Sequence, residues 1–296
     1  RPFLAILTAF LAVDAASFVT WHWPAAGNVI FVTAFVVALA LAALRYELLV
    51  LFFIAELFVG SQGGALLAWD ANGPSEISLR LALFLVMIGA GVGRWRQWYR
   101  FLVEARLLFP LAALSAAVAM GVGIGIFRGN PLGDVFFDAN AYLYLVAFPV
   151  IAFVMTDPAF RPRTATVLAA AVAAGALKAG FVFFIFSHRL FSWARPIYFW
   201  IRDSRTGEIT ATVGDFYRVF FQSFLFALVL LFPLFLLRIC GQRGGKTHEA
   251  LLVACAFVML LSLSRSFWFG GLVAAVLLVV LLALGRAPLI VWRRLF

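Results

Sequence analysis

Charge is scarce in this chain. Of its 296 residues only 12% are Asp, Glu, Lys or Arg, about half of what a soluble domain carries. That leaves too little polar surface to keep the chain in water, and it excludes an ordinary soluble globular fold. Cysteine is scarcer still. The two present, Cys240 and Cys255, lie at or beyond the end of one apolar segment and inside the next, which excludes a disulfide scaffold. Also missing are a His-Glu-x-x-His pair, a Walker loop and a Cys-x-x-Cys, so metalloprotease, nucleotide hydrolase and thiol-redox chemistry have nothing to stand on. Three glycines at 121, 123 and 125 sit inside an apolar run and follow no strand. They are expected to mark close helix packing, not a phosphate cradle.

What the chain has in abundance is hydrocarbon: 65% of its residues are hydrophobic. Apolar runs about as long as a bilayer is thick recur along it, separated by short polar breaks. The reading is an all-α polytopic membrane bundle forming a single transmembrane domain over 1–296. About ten crossings are expected, near 2–21, 28–44, 48–69, 79–92, 107–127, 141–155, 165–187, 219–237, 250–263 and 267–284. Helix is the only realistic spanning element, since runs without alternating polarity are not barrel strands and an open sheet edge cannot face lipid. The 2–21 segment carries Asp14 and no small-residue cleavage site, so it is read as a helix and not as a signal peptide.

The formal charge of +10 invites a nucleic-acid partner, but the basic residues sit in short loops and build no continuous patch. They are read as topology. The even-numbered connections and the C-terminal tail hold Arg45, Arg94, Arg96, Arg100, Arg106, Arg161, Arg163, Arg238, Arg243, Lys246, Arg286, Arg293 and Arg294, which assigns that side, and the N-terminus with it, to the cytoplasm. Asp70, Glu76, Asp134, Asp138, Asp203, Glu208 and Asp215 fall on the opposite side. One connection there is long, over 188–218. Within it 197–202 and 209–213 alternate like strands around turn chemistry at 203–207, so a small β-hairpin on the outer face is expected. Trp193, Tyr198 and Trp200 are candidates for stacking on sugar rings, or for an aromatic belt at headgroup level.

Three ionisable residues fall inside predicted crossings, where a charge costs about 2.5 to 3.5 kcal/mol and needs a partner or a job. At about 1.5 Å per residue, Lys178 lies about 20 Å from the cytoplasmic end of its helix, Asp14 about 18 Å and Glu56 about 12 Å. Asp14 is the better match for Lys178. Lys178 also shares a helix face with Ala171, Ala174 and Gly175, small residues that admit a neighbouring helix, so it is expected to point inward. A buried Asp14 to Lys178 ion pair that fixes register is one reading, and an ion path the other. No partner for Glu56 is evident.

Two arginines stand out on the outer side. Arg265, in Ser262-Leu-Ser-Arg-Ser-Phe-Trp268, lies where one apolar run ends and the next begins with almost no loop. From Ala250 the helix climbs only about 23 Å to Arg265, which is expected to face a polar cavity below the membrane surface. Arg218, in Gly214-Asp-Phe-Tyr-Arg-Val219, is expected at a similar height, opening a helix. A guanidinium presents a planar, always charged fork of donors that suits the oxygens of a diphosphate. Arg80, Arg195, Arg202 and Arg205 lie on the same side and add positive field, and His188 is a candidate general base.

At these residues the chain resembles the O-antigen ligase and polymerase family, membrane glycosyltransferases that move glycans from a polyprenyl diphosphate carrier at the periplasmic face of the bacterial inner membrane. The resembling stretch is 215–284, with Tyr217-Arg218-Val219 after a long outer loop, a short turn, then Ser264-Arg265-Ser266 at an outer hairpin before an apolar run. The resemblance implies that Arg218 and Arg265 hold the diphosphate of the donor. With it come a lipid or glycan acceptor, surrounding membrane lipids, no cofactor and no metal. Asp215 or His188 would serve as base, and Arg80, Arg195, Arg202 and Trp200 would bind substrate. Where the family has a Gly-Phe-Gly-Asn-Pro-Asn-like run this chain reads Phe220-Phe-Gln-Ser-Phe224. Family members continue into a further outer loop with a histidine and more helices, so the sequence is expected to be a fragment. A transporter or lipid flippase using Asp14, Glu56 and Lys178 is the competing reading.

Overall fold

The computed structural model describes residues 2–60, 67–70, 76–212, 216–239 and 245–284, and it is mostly helical. The chain divides into two compact units, one formed by Arg1–Asn28, Ala55–Glu76 and Ala165–Phe296, the other by Val29–Ile54 and Ile77–Thr164. Five helices are long and apolar enough to cross a membrane: α1 (Pro2–His22), α2 (Pro24–Leu44), α6 (Leu108–Phe127), α9 (Phe160–Ser187) and α12 (Gly245–Ser262). They coincide with five of the ten expected crossings. Of the other expected crossings, the last is a continuous 20-residue helix (Arg265–Leu284), and the rest are shorter or broken elements. They include α3 (Tyr46–Gly60), α4 (Leu79–Gly91) and a run split into α7 (Leu132–Leu143), a 3₁₀ turn and α8 (Ala147–Val154). Two small two-stranded sheets complete the described residues, β1 (Ala68–Asp70) with β2 (Glu76–Ser78) and β3 (Gly207–Ala211) with β4 (Tyr217–Phe221).

In the second unit, local chemistry sets the helix ends. Ser78 caps α4 by accepting from the Leu81 N–H at 3.3 Å, and Asp157 Oδ1 accepts from the Ala159 N–H at 2.8 Å just before α9. After α4 a 3₁₀ turn leads into the ten-residue α5 (Trp95–Glu104). There Trp98 lies directly over Gly91, and the Tyr46 hydroxyl donates to the Met87 carbonyl at 3.0 Å. The glycines of α6 correct an expectation. A side chain at Gly125 would press on Val135, but at Gly121 and Gly123 it would meet nothing within 4 Å. Close packing accounts for one glycine of the three.

In the first unit the 188–218 connection departs most from expectation. Residues 197–202 are helical, inside α10 (Phe191–Asp203). The alternation read there as a strand is the edge of an amphipathic helix, with Ala194, Ile197, Trp200 and Ile201 buried at spacings of three and four. A hairpin does form, but β3 pairs with β4, with Ile209 opposite Val219 and Thr210 opposite Arg218. Residues 219–221, expected at the head of a spanning helix, are therefore extended. The helix that follows, α11 (Phe224–Ile239), has only 16 residues.

Side-chain contacts show how β4 is seated. Its Phe216 and Tyr217 end packs rings against Phe183 and Phe186 near the Ser187 end of α9, at 5.3 Å in both cases. Its other end brings Phe221 beneath the Lys178 ammonium, 4.8 Å from the ring centre. The strand thus runs down α9 for more than two turns. Five residues of strand advance about 16 Å and the 16 residues of α11 about 24 Å. Together they match the roughly 42 Å of the 28-residue α9. A strand and a short helix in series cover the length that a single long helix was expected to cover.

Gly91 is the tightest position in the second unit, because any Cβ there would run into the Trp98 ring and the Tyr46 hydroxyl. Overpacking of this kind costs about 1 to 3 kcal/mol. Gly91→Val is expected to lower the melting temperature of the detergent-solubilised protein clearly. Gly93→Val, at a position with open space around it, should change it little.

Candidate functional site

Two polar constellations lie inside the first unit. The deeper one is the expected ion pair. Lys178 Nζ donates to Asp14 Oδ1 at 2.8 Å, and each residue is only 8% exposed. Ala171 and Ala174, on the same face of α9, are buried as expected. The pair borders a cavity of about 390 Å³ whose other walls are apolar, among them Phe18, Phe181, Val182 and Ile197.

Trp193 and Trp200 also border that cavity. Trp200 is buried, with its indole N–H donating to Ser17 Oγ at 3.1 Å and its ring edge-on to Phe18 at 5.6 Å. It is a clamp between α1 and α10, and its burial leaves little of the ring on the surface, where the expected stacking on a sugar would take place. Trp193 and Tyr198 are exposed. A second clamp runs from the Trp21 indole N–H to Asp203 Oδ2 at 3.2 Å. Asp203 also takes the charge of Arg202 at 2.7 Å.

The second constellation is the corner between α12 and α13 (Arg265–Leu284). Arg218, half-buried on β4, donates from Nε to the Ser262 carbonyl at 2.7 Å. Its guanidinium lies 5.3 Å from the centre of the Phe220 ring, and that ring sits 5.7 Å from Phe267 on the first turn of α13. Ser262 is fully buried. Its hydroxyl donates to the Met259 carbonyl at 2.7 Å and accepts from the Ser264 N–H at 3.3 Å. Leu263 has φ +43°, a left-handed conformation that costs a leucine about 1 to 3 kcal/mol and persists only where the surroundings impose it. The strain produces the abrupt reversal. Ser264 then accepts from Phe267 and Trp268 to open α13, and Arg265 is its first residue, exposed.

The structure therefore brings Arg218 and Arg265 to one corner, although Arg218 arrives on a strand and not on a helix. Arg265 stands in the open. Among the described residues neither makes an ion pair, and one N–H of the Arg218 fork is used by Ser262. The first turn of α13 adds backbone N–H groups with no partner inside the helix, the usual basis of anion binding at a helix start.

The remaining predicted site residues scatter. His188 is exposed at the end of α9, its Nδ1 on the Phe184 carbonyl at 2.9 Å and its ring 4.1 Å from the Phe184 ring. Arg195 and Arg202 lie along α10, both over Phe199. Arg80 is buried at the start of α4 in the other unit. Asp215 falls outside the described residues. Among the described residues no group of three or more His, Cys, Asp or Glu is arranged to hold a metal ion. Ser262 went unrecognised in the sequence because its role is carried by a backbone carbonyl, which no residue pattern encodes.

No family model matches this chain, and no curated protein or solved structure matches it either.

Removing one partner of the buried pair would strand the other charge, at a cost of about 3 to 5 kcal/mol. Lys178→Ala is expected to destabilise the solubilised protein strongly, and Asp14→Leu with Lys178→Met to recover most of that loss. A double-mutant cycle on melting measures the coupling, and additive effects would show that the contact contributes nothing.

Proposed function

We propose that the chain is a membrane glycosyltransferase of the O-antigen ligase and polymerase type, taking glycan from a polyprenyl diphosphate carrier at the outer face of a bacterial inner membrane. The observation that supports this reading is the Arg218 to Ser262 bond, which sets two guanidinium groups at one strained corner beside a helix start. Three positive elements belong to that corner: Arg218 on β4, Arg265 at the start of α13 and the first turn of α13 itself. Charge that builds on a departing diphosphate would meet donors already fixed in place, an electrostatic contribution that needs no metal. The Phe220 ring, itself packed against Phe267, lies beside the Arg218 guanidinium, a cation–π contact that favours one placement of the fork.

In this reading the chain crosses the membrane about ten times with its N-terminus in the cytoplasm. The β4 to α11 segment is one of those crossings. A strand at membrane depth is tolerated only where protein covers it or a polar cavity borders it. Val219 and Phe221 are covered, while Arg218 marks the side from which a charged headgroup would enter. His188 or Asp215 would activate the acceptor.

The competing class is a transporter or flippase working through Asp14, Glu56 and Lys178. The buried, mutually satisfied contact between Asp14 and Lys178 fits a structural role better than a path, since each charge already has its partner at 2.8 Å.

The two readings separate cleanly in proteoliposomes supplied with a polyprenyl diphosphate-linked oligosaccharide and an acceptor. Arg265→Ala should lower transfer by about 100-fold or more, in line with the loss of a transition-state charge donor, with the protein still inserted and its melting unchanged. Lys178→Met paired with Asp14→Leu should retain transfer. Full activity in Arg265→Ala would remove the proposal, and loss of substrate translocation in the paired variant alone would favour the transporter.

A further inference from the structure

Outside this site, α5 is unlike every neighbouring helix. It has ten residues, about 15 Å of helix, half of what a bilayer crossing requires. Its composition, Trp-Arg-Gln-Trp-Tyr-Arg-Phe-Leu-Val-Glu, is sharply two-sided. At about 100° per residue four bands follow one another around its axis. Trp98, Phe101 and Leu102 face the protein: Leu102 is buried, Phe101 packs edge-on against Phe153 of α8 at 6.2 Å and Trp98 covers Gly91. Next comes a stripe of Trp95, Tyr99 and Val103, at four-residue spacing and 56%, 51% and 48% exposed. Beside that stripe lie Arg96 and Arg100, exposed as well, and beyond them Gln97 and Glu104.

A soluble surface has no reason to hold two large aromatics half open between a packed face and an arginine row. A helix lying flat at a membrane surface does. Its aromatic stripe enters the boundary between headgroups and acyl chains, its arginines lie level with the phosphates, and its polar edge faces water. The order packed, aromatic, basic, polar is the order that such a helix needs when it is also fastened sideways to a membrane-embedded bundle. Arg94, one residue before α5, is committed elsewhere, lying 4.5 Å from the Tyr46 ring centre and 3.5 Å from Glu47. Arg96 and Arg100 are the two cations turned along the aromatic stripe.

We infer that α5 is an interfacial helix that binds the headgroups of anionic phospholipids through Arg96 and Arg100, with Trp95 and Tyr99 as its anchor in the leaflet. The binding is independent of the arginine corner and of any transfer reaction. It requires only that the bundle be embedded in a bilayer. Charge complementarity selects the occupant, because a zwitterionic surface would satisfy the aromatic stripe but leave the arginine row without counter-charge.

The full chain, reconstituted in nanodiscs of phosphatidylcholine alone or with phosphatidylglycerol, tests this. Phosphatidylglycerol should raise the melting temperature of the wild-type protein, and that lipid should remain bound after mild detergent extraction, as counted by mass spectrometry. Each arginine is expected to contribute about fivefold to lipid affinity, so Arg96→Gln with Arg100→Gln should reduce retention about 25-fold and remove most of the shift. Arg96→Lys with Arg100→Lys should keep most of both. Raising salt from about 0.05 M to about 0.5 M should weaken the wild-type effect, since exposed charges are screened, and free inorganic phosphate added to phosphatidylcholine discs should not reproduce it. Equal responses to phosphatidylglycerol in the wild type and the glutamine variant would overturn the inference. So would a wild-type response that is indifferent to salt, a readout that stands even if the glutamine variant fails to insert.

Discussion

A single ammonium group organises the first unit. Lys178 is bound on one side by the Asp14 carboxylate and capped on another by the Phe221 ring, so three segments far apart in sequence meet at one charge. Burying that charge alone would cost several kcal/mol, and the cost is offset only when the carboxylate stands at hydrogen-bonding distance. Geometry this demanding allows little sliding. It fixes the height of α1 against α9, and through Phe221 it fixes how far the β3–β4 hairpin reaches down α9. The attraction of the aromatic face for a desolvated cation, about 2 kcal/mol in favourable cases, makes the strand's end part of the same lock.

What sequence reasoning recovered follows from where polarity is rare. A charge in an apolar run is conspicuous, and comparing depths along two helices was enough to pair Asp14 with Lys178 out of three candidates. The five long helices were legible for the same reason, as long, mostly apolar runs between short polar breaks. Strand β4 was not. Only Gln222 and Ser223 separate Val219, Phe220 and Phe221 from the apolar residues of α11, and so short an apolar run carries no period by which strand and helix differ. The error at 197–202 had the opposite origin. Over six residues, alternation and a helical stripe overlap, and only the burial of Ala194, Ile197, Trp200 and Ile201 separates them. Trp200 illustrates a further limit, because an indole that seeks a sugar and one that clamps two helices look identical in a string of letters.

The arginine corner was half legible. That Arg218 and Arg265 belong together came from the residues flanking them. The means by which they meet is not written in residue type at all, since it rests on a carbonyl, on the left-handed Leu263 and on a strand in place of a helix. Had 219–237 been one straight helix, Arg218 would have opened it and shared a face with the residues three and four positions on. In extended form β4 instead presents its residues alternately to two sides. Val219 and Phe221 face inward and are buried, while Arg218 and Phe220 share the other side, toward α12 and the first turn of α13.

This alternation explains why the lysine lock and the arginine corner can coexist on five residues. Phe221, on the inward side, reaches Lys178; Arg218, three residues earlier and on the opposite side, reaches Ser262 about 10 Å away along the strand. A helix with the same sequence would set positions 218 and 221 on one face, and the two cations would then compete for the same surroundings. The strand keeps one positive charge buried and neutralised while it holds the other at the rim with its fork open. A polar corner can stand beside an apolar bundle in this way without drawing the ion pair beneath it toward water.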